Sequence, residues 1–208
     1  TAPFEEAPDL AVLMEIGAAT KEDAEIGADG TVALESQLES ILADAFEAEL
    51  IHDAVIARSA AQRLNFWAMR EGTLDAMQMH GNWVMNDISF QVSDLPGAIA
   101  DMEAAFAAIA PGPFCVAFGH MGDGNLHINA RPYDRDPSEC PDEVAAIKDA
   151  VRDTVVKWRG SISAEHGIGT DKQQDMKRLK DPVAYEMMKA IKAALDPHNL
   201  LNPGKVLL

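Results

Sequence analysis

Gly119-His120-Met121-Gly122-Asp123-Gly124-Asn125-Leu126-His127-Ile128-Asn129 is the most informative stretch of this chain. Phe114–Phe118 before it and Leu126–Ala130 after it read as strands, and Asp123-Gly124 is a strong two-residue hairpin signal. With those two residues as the turn, Gly122 faces Asn125, Met121 faces Leu126, and His120 lies opposite His127. Side chains alternate along a strand, so His127 and Asn129 share that face. Two imidazoles and an amide then converge beside a glycine-rich turn with little bulk to block a ligand. Paired histidines on a hairpin are also ordinary surface residues, so the hairpin alone leaves both readings open.

A second segment favours a site. Ser161-Ile162-Ser163-Ala164-Glu165-His166-Gly167-Ile168-Gly169 places a carboxylate and a third histidine just before two glycines that free the backbone for a close approach. Two neutral imidazoles plus one carboxylate suit a divalent metal with open positions for water or substrate. His120, His127 and Glu165 are the natural trio, which leaves His166 for proton transfer. That ligand set serves zinc first, and manganese or iron as well.

These segments, followed by Asp196-Pro197-His198-Asn199-Leu200-Leu201-Asn202-Pro203-Gly204-Lys205, resemble the C-terminal domain of FAD-linked oxidases. This is the vanillyl-alcohol-oxidase-type group that includes D-lactate, glycolate and D-2-hydroxyglutarate dehydrogenases. The similarity extends upstream through Leu10–Ile16, Ala54–Ala57 and Phe66-Trp67-Ala68-Met69-Arg70-Glu71. The resemblance implies an FAD-linked oxidoreductase acting on 2-hydroxy acids of D configuration. FAD is then held mainly by an N-terminal FAD-binding domain expected before Thr1, a partner without which the chain is expected to be inactive. It also implies that Arg70, in its Trp-x-x-Arg-Glu setting, holds the substrate carboxylate, and that Asn202, with Lys205 beside it, returns to the flavin. Without the resemblance, Arg70 reads as a surface arginine paired with Glu71 or Asp75. His166 is then the base that takes the hydroxyl proton, and Asn129 helps orient the acid.

Two positions depart from the D-2-hydroxyglutarate dehydrogenases of that group. Met85 stands where they carry a lysine, and Leu74 where they carry a threonine. Both changes remove polar contacts, so lactate or glycolate stands level with a dicarboxylic acid as the expected substrate. The electron acceptor has no sequence signature here.

Composition narrows the classes further. At 208 residues, with 48% apolar and 25% charged content, the chain is long enough for a good core. A formal charge of −17 argues against nucleic acid or anionic membrane as a general partner. No segment has a signal peptide's layout or the length of a membrane span. Cys115 and Cys140 read as free thiols. A cytoplasmic location is expected, with a membrane-peripheral one as the variant. No Gly-x-Gly-x-x-Gly follows a strand, so a Rossmann site is not expected in this chain.

Periodicity suggests strands at Leu10–Ile16, Ala54–Ala57 and Trp83–Val92, and a turn at Ala28-Asp29-Gly30. Helices are expected over Leu34–Ala45, Ser59–Glu71, from Pro96 to Ala110, over Val144–Trp158, and after Asp181-Pro182. Strand–helix–strand, repeated after a helical insertion, predicts an α+β fold with ferredoxin-like split βαβ units in one antiparallel sheet. Residues 1–170 form the substrate or cap domain in this reading, and 171–208 a helical tail returning to the FAD-binding domain. Apolar surface left by that domain's absence is expected to favour a homodimer. A stand-alone metal-dependent hydrolase and a non-catalytic binding or assembly domain are the two rival classes.

Overall fold

The computed structural model describes residues 2–28 and 30–208, which fall into two compact units, Thr1–Met79 and His80–Leu208. Each is built where its local residue types direct it. In the first unit, α1 (Ala33–Glu47), α2 (Ala60–Glu71) and α3 (Thr73–Gln78) follow one another. Ser59 caps α2, its hydroxyl accepting the Gln62 N–H at 3.2 Å. Glu35 and Glu39, four apart on one face of α1, share the Arg58 guanidinium. Neither α1 nor α2 contains a buried residue.

The strands expected at Leu10–Ile16 and Ala54–Ala57 do not form. A strand needs a partner for its N–H and C=O groups, and among its described residues this unit offers only helices and one bridge, Ile26 to Val32. Leu10 and Val12 are accordingly exposed. The expected turn at Ala28-Asp29-Gly30 has its central residue outside the described residues, although Gly30 donates its N–H to the Gly27 carbonyl at 3.0 Å.

The second unit carries the sheet: β1 (Asp87–Ser89), α4 (Leu95–Ala107), β2 (Phe114–Phe118), β3 (Asn125–Arg131), α5 (Pro141–Lys157), α6 (Gln173–Leu179) and α7 (Pro182–Leu195). The strand order is β1-β3-β2, and β3 runs antiparallel to both neighbours. β1 and β2 are therefore parallel, with α4 as their crossover, which is the first half of a ferredoxin-like plan. After α5 the chain returns to β1 through a single antiparallel bridge, Ser89 to Ser161, where a fourth strand would lie. The fold is α+β, with its split βαβ logic condensed into residues 87–161.

Alternation on β3 divides the sheet. Leu126, Ile128 and Ala130 point to one face, with Ile88 of β1. Against them pack Ala98, Met102 and Phe106 of α4 and Ile147, Val151 and Val155 of α5, each set at helical i, i+4, i+8 spacing. Burying each large apolar side chain contributes about 1.5–3 kcal/mol. The helices come this close because Gly97 has no Cβ; one there would stand 2.4 Å from the Trp158 ring.

The other face of β3 holds Asn125, His127 and Asn129, all buried, a polar row where a free sheet face would be solvated. The connection from β2 differs from a two-residue turn. Phe118, not His120, stands opposite His127, and residues 119–124 form the link around a 3-10 turn at Met121–Asp123. The His120 carbonyl accepts N–H groups from Asp123 and Asn125, at 3.0 and 3.2 Å, which draws two further residues into the loop. A slip of two residues preserves the faces, so His120 remains on the His127 side.

Gly124 closes that loop at φ +70°, and a Cβ there would lie 2.0 Å from the Phe90 carbonyl oxygen. Gly122, two residues earlier, has open space around it. Gly124→Ala is expected to destabilise the second unit by about 2 kcal/mol or more, and Gly122→Ala by well under half of that. Urea unfolding of the two variants beside wild type measures the difference.

Candidate active site

Asp87 is the centre of the site and is 1% exposed. It stands directly opposite His127 in the β1–β3 register, on the polar face. Its Oδ2 accepts three consecutive backbone N–H groups, from Ala164 at 3.1 Å and from Glu165 and His166 at 2.8 Å each. Its Oδ1 accepts the Asn125 amide at 3.1 Å. The loop after the Ser89–Ser161 bridge is thus wrapped onto one carboxylate, which presents the side chains of Glu165 and His166 outward.

The histidines assemble around this anchor. His127 turns Nδ1 towards Asp87 Oδ1, 3.8 Å away, and Nε2 towards Glu165 Oε2, 3.1 Å away. Glu165 Oε1 lies 3.7 Å from His120 Nε2. His166 Nδ1 lies 3.9 Å from Asp87 Oδ2, and its ring is 5.4 Å from that of His127. Phe118 flanks His127, ring centroids 5.1 Å apart. His120, Glu165 and His166 are about half exposed, whereas His127 is buried. The ligand atoms of Asp87, His127 and His166 lie within 4.8 Å of one another, a spacing that could hold a cation, and the Glu165 contacts to His120 and His127 overlap that group at His127.

Burial alone would raise the Asp87 carboxyl. The His166 and Glu165 N–H groups, the His166 ring and Lys172 outweigh it and hold the group below its ordinary value. Lys172 reaches the Asp87 carbonyl oxygen at 3.3 Å, and burial pulls its ammonium down against the opposing pull of Asp87, Asp171 and Asp175.

Asn129 is 1% exposed, and its Oδ1 accepts the Asn86 N–H at 3.2 Å. It thereby replaces a ladder bond between β1 and β3. Arg70 lies in the last turn of α2, in the first unit. Asn202 is exposed, in left-handed backbone at φ 46°, and its carbonyl accepts the Lys205 N–H at 3.3 Å. That tail is tied to its own unit: Gln173 donates to the Gly204 and Leu207 carbonyls. Buried Asp196 accepts N–H groups from Leu200 and Leu201 and the Lys192 ammonium, which lowers its carboxyl to about 2.

Sequence reasoning did not single out Asp87, Asn125 or Lys172 as site residues. A lone acid within the alternating run Val84–Phe90 was the available signal for Asp87.

An α+β domain with imidazoles and a carboxylate grouped over a buried aspartate is the class that fold and site define. The family described as FAD linked oxidases, C-terminal domain, matches residues 24–206, and the chain belongs to it. Among its relatives, D-2-hydroxyglutarate dehydrogenase of Stutzerimonas stutzeri is 35% identical over 206 residues, 99% of this chain and 42% of the relative. The mitochondrial D-2-hydroxyglutarate dehydrogenase of Arabidopsis thaliana is 36% identical over 82% of this chain and 29% of its own length. That of Danio rerio is 35% identical over 83% and 31%. The chain spans less than half the length of these curated relatives. Among the described residues, no helix is long and apolar enough to cross a membrane.

Asp87→Asn sets an amide against three N–H donors and is expected to cost about 2–4 kcal/mol near neutral pH. The folded carboxyl lies below its ordinary value of 3.8, so its stabilisation is present above that pH. It is lost as pH falls through the folded value. Urea unfolding between pH 7 and pH 2 should therefore show the gap between wild type and Asp87→Asn closing only on the acid side.

Proposed function

We propose that this chain is the substrate- and metal-binding part of an FAD-dependent dehydrogenase acting on the CH–OH of a D-2-hydroxy acid. The observation that carries this reading is the meeting of His120, His127 and Glu165 beside His166, with Asp87 behind His127 and His166. The relatives bear the name of such an enzyme, and the chain's family supports FAD as the cofactor.

Hydrogen bonding favours His120, His127 and Glu165 over Asp87, His127 and His166 as the cation ligands. Asp87 Oδ2 already accepts three N–H groups and Oδ1 accepts one amide, which leaves little lone-pair capacity for a metal. A carboxylate behind Nδ1 of a histidine fixes the tautomer and aims Nε2 at a ligand. His120, His127 and Glu165 are therefore the proposed ligands of a divalent metal, zinc before manganese or iron. When bound, that metal would polarise the substrate oxygen and the flavin would accept the hydride.

The chain's own residues do the rest. His166, with Nδ1 on the Asp87 side, takes the hydroxyl proton at Nε2. Arg70 grips the substrate carboxylate through a two-point guanidinium contact. Asn202 approaches the flavin from the C-terminal tail. Asn129 acts from below, since its carbonyl oxygen holds the Asn86 N–H and thereby the spacing of β1 and β3. The N-terminal FAD-binding domain and a second copy of the chain are the proposed protein partners.

Metal analysis tests the ligand set. Wild type should hold about one equivalent of divalent metal, and His120→Ala and His127→Ala should both lose it. Asp87→Asn should retain metal with affinity about 10- to 100-fold weaker. Full metal content in His120→Ala would transfer the site to Asp87, His127 and His166.

Stopped-flow flavin reduction in the enzyme that carries this chain tests the chemistry. His166→Ala should lower the reduction rate by about 10²- to 10⁴-fold with little change in substrate binding. Arg70→Ala should act chiefly on KM. Reduction at the wild-type rate in His166→Ala would remove that residue as the base.

A further inference from the structure

The polar face of the sheet does not end at the histidines. Beyond His127 and Asn129, alternation along β3 brings Arg131 to the same face. The register sets it opposite Phe114 on β2, and continuing the Val84–Ala130 bridge sets Trp83 on its other side. The guanidinium lies over the Trp83 ring, 5.9 Å from its centroid, and Trp83 meets Phe114 at 5.6 Å. Between this row and the site, Met85 and Val116 flank Asn129. Met85 is 48% exposed, so the middle row presents an apolar surface.

Arg131 stands out by its setting, on the face of the site and over an aromatic ring. The chain has 34 acidic and 17 basic residues, and Arg58, Arg63, Arg135 and Arg152 each take a carboxylate. Arg131 makes no ion pair among the described residues. Asp136, which feels the Arg131 charge, is occupied by Asn82 at 2.7 Å and by the Ser138 N–H at 2.9 Å. A guanidinium steadied on an aromatic ring, with its hydrogen-bonding edge uncommitted, is prepared for an anion.

Resting on the 2-hydroxy acid reading above, we propose that Arg131 is a specificity-determining residue that receives a second carboxylate of the substrate. The order along β3 is then a hydroxyl end at His127, an apolar stretch at Met85 and Val116, and an anionic end at Arg131. His127 and Arg131 are four residues apart, about 13–14 Å between Cα atoms in a strand. That span accommodates a 2-hydroxy dicarboxylate together with the two side chains that hold its ends. Met85 serves the carbon chain of such a substrate, and the cation is supplied one row further along.

The test compares D-2-hydroxyglutarate with D-lactate, which lacks the second carboxylate, in the flavoenzyme that carries this chain. In Arg131→Met, kcat/KM for D-2-hydroxyglutarate should fall roughly 10- to 100-fold, mainly through KM. D-lactate should change less than about threefold, which also reports that the variant is folded. Arg131→Lys should recover part of the loss, keeping charge without the two-point grip. Calorimetric binding of 2-oxoglutarate and pyruvate, which need no turnover, should show the same contrast. Equal losses on both acids, or no loss on either, would overturn the role of Arg131. Failure of both acids to reduce the wild-type flavin would instead overturn the underlying reading, and this role with it.

Discussion

One buried carboxylate organises this domain. Asp87 could be ionised at 1% exposure only if its charge were met by donors, and the chain supplies them from three directions. The backbone of residues 164–166 turns inward, Asn125 reaches across from β3, and His127 and His166 present their Nδ1 atoms. The same contacts join β1, β3 and the loop that follows α5. Removing the charge would leave several N–H groups facing each other without an acceptor. The site's geometry and the domain's stability therefore depend on one group, and a substitution that disturbs one disturbs the other.

Glycines make the approach possible. A Cβ at Gly160 would stand 2.5 Å from the Ser89 carbonyl oxygen, and one at Gly119 would stand 2.2 Å from that of Asn125. Both flank segments that must press against β1 and β3 for Asp87 to reach its donors. Phe90, whose N–H donates to the Gly124 carbonyl at 2.9 Å and whose ring lies against Gly160, is the shared wall. The His120 loop and the Glu165 loop thus close on opposite sides of one short strand.

What could be seen beforehand divides along the line between local and non-local forces. Helices were legible because their signals are local: Ser59 caps α2, Asp181 caps α7 before Pro182, and the i, i+4 apolar spacing of α5 marks its buried face. β2 and β3 were legible as well, being strands joined through a glycine turn. Leu10–Ile16 and Ala54–Ala57 misled because apolar content marks strand capacity, while a ladder needs a neighbour. The register missed by two residues because the His120 carbonyl captures two N–H groups, a preference Asp123-Gly124 does not announce. The three histidines and Glu165 were recognisable by type. Asp87 was not, because its role comes from pairing with His127, forty residues away in the chain.

The charge of the chain poses the last constraint on the site. A net −17 repels an anionic acid at long range, yet that repulsion is screened beyond about 8 Å at physiological ionic strength. Within that distance the local balance decides. Asp87 is offset by its N–H donors, the His166 ring and Lys172. Glu165 is shared between two imidazoles. Arg131 adds a cation on the same face, backed by Trp83. An anion therefore meets a field set by these few groups. The surrounding acids can keep the protein soluble while leaving the sheet face open to a carboxylate.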